Sequence, residues 1–442
     1  MAGMFTEPAA VGALMFALVL LLMVLGIPVA FAFLGANLIG AALIMGGLNG
    51  VLQLVDNSTN LITSFILVAV PMFILMGALL FHTGLANRVF DALDMLFGRI
   101  PGRLCYLTLA GGTAFAALSG SSMANAAMLG ALLGPEMQKR GYHPRLIMGP
   151  IMGVGGLAII IPPSALAVLL GSMARVDIGA LLVAGIVPGL MLALLYTASV
   201  WWDIRRDPSA APVYDIAQPP WQERLAAVVQ NVLPMGLIVF CVVGLIIMGV
   251  ATPSESAALG AASVLVLAAA YRCLTWTAIV KSLEATISVT GMVFVIIFAS
   301  AAFSQLLAFS GASGVIVEGA VGWETTPMLK FALVLGVLVL LGMFLDQISI
   351  LLITVPFMFP VMKALGFDPI WFGVIVLIAM EMSLLTPPFG LLLFMMLGVA
   401  PPGTTMAQVV RAAWPYLVCN LIAIAALVLW PELATALPKL MQ

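Results

Sequence analysis

The stretch LSGSSMANAAMLGALLGPEM, residues 118–137, places Ser119, Ser121, Ser122 and Asn125 around a glycine, between two apolar runs. Such crowding is out of character for the chain. Of its 442 residues 64% are hydrophobic and 8% are charged, too few charges to cover a soluble surface. Apolar runs of about 18 residues or more recur from end to end, the length that crosses a hydrocarbon core of roughly 30 Å. The chain therefore reads as a polytopic, all-α membrane protein. Polar residues concentrated in one of its apolar segments ask for a functional reason.

The same stretch has an echo downstream. PEMQKRGYHPRLIMGPIMGVGGLAIIIPP (135–163) aligns without a gap on PVMKALGFDPIWFGVIVLIAMEMSLLTPP (360–388). Pro135, Met137, Gly141, Pro144, Pro162 and Pro163 fall on Pro360, Met362, Gly366, Pro369, Pro387 and Pro388, all 225 residues apart. Backbone-defining residues recurring in one register indicate two related halves. The same offset lays Ser121 and Ser122 over Asp346 and Gln347, so each half interrupts an apolar segment with polar residues at one place.

If the SGSS tip breaks the segment 104–137, each arm has about 15 residues, or roughly 22 Å of helix, short of a full crossing. Basic residues flank both ends: Arg99 and Arg103 before it, Lys139, Arg140 and Arg145 after it. A re-entrant hairpin satisfies both facts, since broken backbone is tolerated in a membrane where protein or a water-filled cavity satisfies it. Five apolar segments then separate this hairpin from a second at about 330–362, which enters from the opposite face. In this topology Arg175, Lys330, Lys363 and Lys439 lie on one side and the other twelve of the 16 Lys and Arg on the other. That bias makes the richer side cytoplasmic and the halves inverted-topology repeats.

The expected organisation is scaffold spans over 1–86 and a first repeat over 87–200, with the hairpin and a Pro-Pro broken helix at about 146–171. A cytoplasmic linker, central spans and an interfacial arm helix occupy 201–285. A second repeat over 286–412 has its broken helix at about 369–397, and a C-terminal span covers 413–442. Two amphipathic stretches, 87–100 and 276–285, read as interfacial helices.

Inverted repeats with helices broken at mid-membrane mark the binding site of a secondary transporter. Carbonyls ending the first arm suit a cation; N–H groups opening the second, with Ser121 as N-cap, suit an anion. The two Pro-Pro pairs each strip hydrogen bonds from a span, with Thr386 placed to cap the helix that resumes. Substrate-binding candidates are Ser121, Ser122, Asn125, Ser164 and Thr386. Ion-binding candidates are Ser119, Gly120, Pro162, Asp346, Gln347, Thr386 and Pro387. Asp346 weights the second tip toward a cation or a proton and leaves more of the anion binding to the first. Glu381, six residues before Pro387, is a second buried-looking carboxylate with either a structural or a coupling role.

No nucleotide-binding loop, HExxH or Cys/His metal spacing is present, and GSSMA misses the G-x-S-x-G pattern. The sequence therefore points away from an enzyme and toward transport driven by an ion gradient. A stand-alone carrier of related fold and a channel with re-entrant hairpins remain alternatives.

At SGSSMANAAMLGALLGPEMQKRGY, IIPPS, GIVPG (185–189), FLDQISILLITVPFMFPVMKALGFDPIWFGV and LLTPPFGLLLF the chain resembles the large membrane subunit of TRAP transporters, the tripartite ATP-independent periplasmic transporters of bacteria and archaea. The resemblance runs through nearly the whole chain in order. It implies an elevator-type importer of organic acids such as dicarboxylates, coupled to Na+ and without other cofactors. It also implies a multi-pass protein of the cytoplasmic (inner) membrane. Its implied partners are a periplasmic substrate-binding protein and a separate small subunit of about four helices. Where the family often shows polar NLEIG and GLNLF, this chain has Ala379, Ser383 and Leu392, which points to a less polar acid or a shifted pocket.

Overall fold

The structure, a computed structural model, describes residues 7–98, 100–213, 220–401 and 403–441, apart from the side chains of Leu118 and Ser119. Arg99, counted above toward the basic face, lies outside the described residues, as does the side chain of Ser119. Among the described residues every regular element is helical. Seven helices of 18 residues or more are apolar enough to cross a membrane, among them Ile178–Arg206, Pro253–Ala270, Trp276–Phe309 and Met406–Leu429.

Both expected hairpins form. The first consists of helices Arg103–Ser119 and Ser122–Lys139, the second of Pro327–Gly342 and Gln347–Ala364, and in each the two arms pack on one another. The first break turns on Gly120, whose φ of 59° lies in the left-handed region that glycine enters without steric cost. The entering helix stops there, and Ser121 caps the next by accepting from Ala124 N at 3.4 Å. Asp346 does the same at the second tip, accepting from Ile348 N at 3.1 Å and Ser349 N at 3.2 Å.

Each hairpin is followed by a broken helix: Pro144–Leu157 then Ala165–Ala174, and Pro369–Leu385 then Leu391–Val399. The Pro162-Pro163 and Pro387-Pro388 bonds are both cis. These prolines lie inside the breaks rather than in the first turn of the resuming helix. Thr386 ends the preceding helix, its hydroxyl donating to Met382 O at 2.7 Å, and Gly390 is the residue before the resuming one. The expected capping role of Thr386 is therefore corrected. Its hydroxyl is satisfied four residues back, the common fate of threonine in a helical turn.

The repeat extends further upstream than the sequence match. Helices Leu85–Leu96 and Ala312–Gly322 are equivalents, each opened by a glycine of positive φ, Gly84 at 73° and Gly311 at 75°. Each is held by a basic residue of the following hairpin reaching back nine positions to a carbonyl near its end. Arg103 donates to Asp94 O at 2.5 Å and Lys330 to Val321 O at 3.0 Å.

Four expected boundaries, after 86, 200, 285 and 412, each fall inside a helix. The expected interfacial arm at 276–285 is the start of one 34-residue helix, Trp276–Phe309. No Gly or Pro interrupts it near 285. Its polar Ser282 and Thr286 are satisfied within the helix, each hydroxyl donating four residues back at 2.7 Å. Helices Leu48–Ile62, Ala312–Gly322 and Glu432–Lys439 were not anticipated.

The hairpin-1 helices, both broken helices, Ile186–Arg206 and Met406–Leu429 pack together as one group. Helices Val29–Ile44, Leu48–Ile62 and Ala69–His82 pack against Trp276–Phe309, and Pro253–Ala270 packs on Ala69–His82. Buried Asn37 ties the second group by donating to Ala299 O at 2.7 Å. The hairpin tips lie between the two groups.

Candidate functional site

The two tips meet. Ser122 Oγ donates to Gln347 Oε1 at 3.4 Å across 225 residues of chain, so a residue touches its own repeat equivalent. A two-fold relation brings equivalent residues together only along its axis. A second such pair lies deeper. A Cβ on Gly156 would stand 2.3 Å from Cγ of Glu381, and 381 − 156 is again 225. A third is offset by one residue: Tyr196 Oη is 2.6 Å from Asn420 Oδ1, 224 residues apart. The broken elements of both halves are thus arranged about one pseudo-two-fold axis.

A cavity of about 170 Å³ opens beside the tip contact, lined by Gly120, Ser121, Ser122, Ala165 and Gln347 together with Val70, Ile74, Val289 and Val293. Ala165 opens the helix after the first break, capped by Ser164, which accepts from Ala167 N at 3.2 Å and donates to Ile159 O at 2.6 Å. The N-termini of three helices of 18, 10 and 18 residues, starting at Ser122, Ala165 and Gln347, therefore converge on one cavity. Helix N-termini carry partial positive charge and present N–H groups, an arrangement that receives an anion without a formal cation. The amide nitrogen of Gln347 is buried and has no partner among the described residues. A buried donor in that state costs free energy unless something accepts from it.

The predicted residues divide into three sets. Gly120, Ser121, Ser122 and Gln347 line the cavity, and Ser164 shapes it from behind while wholly buried itself. Asp346 sits at the tip but is exposed, with its carboxylate given to the backbone of its own helix and to the hydroxyl of Ser349. The remaining four stand elsewhere. Asn125 is 0% exposed and donates to Gly112 O at 3.3 Å and Val154 O at 3.1 Å, stitching the hairpin to the broken helix. Thr386 is bonded back to its own helix, and Pro387 beside it does not line the cavity. Pro162 lines a separate apolar cavity of about 380 Å³ with Val89, Ala117 and Val239. Ala379, Ser383 and Leu392 are each 0% exposed and so meet no cavity.

Sequence reasoning missed Val70, Ile74, Val289 and Val293, the wall given by the second helix group. Apolar residues in apolar helices carry no signal that separates a site wall from a lipid-facing surface.

Two helical hairpins whose tips meet, two Pro-Pro broken helices and a shared axis are the architecture of a multi-pass membrane transporter built from two repeats. The profile of the family "Tripartite ATP-independent periplasmic transporter, DctM component" matches residues 16–433, and the chain belongs to that family, the large membrane component of these transporters. It is 30% identical to the ectoine/5-hydroxyectoine TRAP transporter large permease of Ruegeria pomeroyi over 97% of this chain and 99% of that protein. It is 32% identical to the C4-dicarboxylate TRAP transporter large permease of Pseudomonas aeruginosa over 85% and 86%. The fold is shared with the solved YdaH transporter of Alcanivorax borkumensis at a TM-score of 0.65 and 15% identity, covering 97% of this chain and 99% of that one.

Proposed function

We propose that the chain is a sodium-coupled importer of a small organic acid in the cytoplasmic membrane of a bacterium or archaeon. The cargo is handed over by a periplasmic binding protein, and a separate small four-helix subunit flanks the chain. The observation that carries this reading is the tip cavity, where three helix N-termini and the unpartnered Gln347 amide face one space. Nothing cationic is needed to hold a carboxylate there. Relatives named for ectoine, a zwitterion, and for C4-dicarboxylates both carry a carboxylate, the group those N-termini suit.

Sodium prefers hard oxygen donors. The carbonyls ending the entry arm at Ser119 and Gly120 supply them, with Asp346 supplying charge from the second tip. The cavity has one wall from each helix group, polar on the hairpin side and apolar on the side of Val70 and Val293. That division suits an elevator movement, in which the hairpin group slides with its cargo along an apolar wall.

Uptake by proteoliposomes holding the chain and its small subunit should require both an inward sodium gradient and the cognate binding protein. Equal uptake with potassium in place of sodium overturns the coupling. Uptake without the binding protein favours a stand-alone carrier, and currents far above carrier turnover favour a channel. Asp346→Asn should weaken sodium dependence more than Ser121→Ala does; the reverse order overturns the division of labour between the tips.

A further inference from the structure

Behind the tip cavity, on the pseudo-two-fold axis, lies a polar cluster that substrate binding does not use. Glu381 in helix Pro369–Leu385 is 0% exposed, and so are Tyr196 and Asn420 beside it. Tyr196 Oη stands 2.6 Å from Glu381 Oε1 and 2.6 Å from Asn420 Oδ1. Three oxygens thus meet around a phenol that owns one hydrogen. Glu381 Oε2 and Asn420 Nδ2 have no partner among the described residues. The helices around the carboxyl bring no cation to it. Pro144–Leu157 offers Gly156, whose missing side chain makes the space. Met406–Leu429 offers Asn420 and the Cys419 thiol, and Ile186–Arg206 offers Tyr196, with the Tyr416 ring tilted against it, the ring centroids 5.1 Å apart. The ion pairs among the described residues all lie elsewhere.

An ionised carboxylate with one donor and an empty second oxygen, wholly inside protein, is among the costliest groups a fold can hold. We infer that Glu381, Tyr196 and Asn420 form a buried proton-binding site, with Glu381 carrying the proton in this conformation. The geometry then closes without an orphaned charge. Glu381 Oε1–H donates to Tyr196 Oη, Tyr196 O–H donates to Asn420 Oδ1, and only neutral groups, the Glu381 carbonyl oxygen and the Asn420 amide NH2, are left over. When the proton leaves to water, the phenol turns its hydrogen onto Glu381 Oε1. The Asn420 amide rotates so that Nδ2 donates to the phenol oxygen, using the same two contacts. The proton state of Glu381 and the orientation of Asn420 are therefore one switch, seated against Gly156, one residue before the last residue of the helix that precedes the first break.

Infrared difference spectra of the purified chain in lipid test this directly and independently of what is transported. At neutral pH, subtracting the Glu381→Gln spectrum from the wild-type spectrum should leave the carbonyl band of a protonated carboxylic acid, downshifted in D2O. Tyr196→Phe should move that band to higher frequency, because the acid loses its acceptor. A difference spectrum holding only carboxylate bands overturns the proposal, and so does a Tyr196→Phe spectrum with the acid band unmoved. Gln has the shape and neutrality of the protonated side chain. Failure of Glu381→Gln to give folded, monodisperse protein would therefore show that the site requires the charge.

Discussion

Gly120 and Gly156 fail for different reasons when given a methyl group. At Gly120 the new Cβ would find its nearest neighbours at 3.6 Å, the Ala165 N, and 3.7 Å, the Pro163 O, so there is room. The cost is the left-handed backbone, about 1–2 kcal/mol. Gly120→Ala should lower thermal stability by that amount and Gly120→Asn by less, since asparagine tolerates this region; equal losses would put the cost in crowding. At Gly156 the backbone is ordinary but the Cβ would strike the Glu381 carboxyl at 2.5 Å, an overpacking cost of about 1–3 kcal/mol. That penalty should shrink when Glu381 is replaced by Ala, a coupling that a double-mutant cycle on melting temperature reads. Additive losses would separate the two residues. Ser121 was legible as a tip residue because a capping side chain acts on its own helix, and Asp346 because it stands 225 residues further on, at the same place in the second half. Asn125 was misread. Its residue type suggests a site, and only the crossing of Arg103–Ser119 with Pro144–Leu157 turns its amide toward Gly112 and Val154.

Between neighbouring elements the basic pins do the joining. Arg103, with its side chain 7% exposed, meets the Asp94 carboxylate at 2.8 Å as well as the Asp94 carbonyl, and both acceptors sit in the last turns of helix Leu85–Leu96. Hydrogen bonds from charged donors contribute about 1.5–3 kcal/mol. Arg103→Leu should therefore raise hydrogen exchange throughout 85–96 while leaving 122–139 protected; unchanged exchange would assign the helix's stability to its apolar face alone. On the same basic face Asp207, hydrogen-bonded by Ser209 Oγ at 2.5 Å and facing Arg145 at 3.4 Å, keeps its carboxyl below the usual range, Ser209 contributing most. A carboxyl lowered in the folded state stabilises above its unfolded value and loses that effect as acid titrates the folded form. Exchange of the Ser209, Ala210 and Ala211 amides, corrected for intrinsic rate, should stay flat from neutral pH down to about pH 4 and rise only below it; a rise already near pH 5 would mean that the Asp207 carboxyl is raised in the folded state rather than lowered. The helices that sequence reasoning missed are Leu48–Ile62, Ala312–Gly322 and Glu432–Lys439. Each is short or of mixed polarity, formed because neighbours cover one face, and pattern alone does not register that.

At the scale of the whole molecule, the repeat was readable because Gly and Pro positions are fixed by backbone geometry, which both halves share, whereas side-chain chemistry has diverged. Gly156 and Glu381 are equivalents in register and opposites in role: one makes the space that the other fills. The register itself placed the halves, but not the fact that equivalents touch at Ser122–Gln347 and Gly156–Glu381, since an alignment offset carries no information about where an axis passes. Orientation in the bilayer is the remaining global property, and the distribution of charge argues it. In the topology proposed from the sequence, twelve of the 16 Lys and Arg fall on the side where the first hairpin begins and ends, and such a bias is expected of a cytoplasmic face. On a cysteine-free background, Pro101→Cys and Lys139→Cys should react with an impermeant maleimide only after the inner face is opened. Glu324→Cys and Lys363→Cys, at the two ends of the second hairpin, should react from outside in intact cells. All four positions are exposed, so labelling reads sidedness rather than burial. Labelling of Pro101→Cys and Lys139→Cys from opposite faces would make the first hairpin a through-crossing pair and remove the inverted relation between the halves. Labelling of all four from one face would keep both hairpins but make the repeats parallel, and would take the shared axis out of the plane of the membrane.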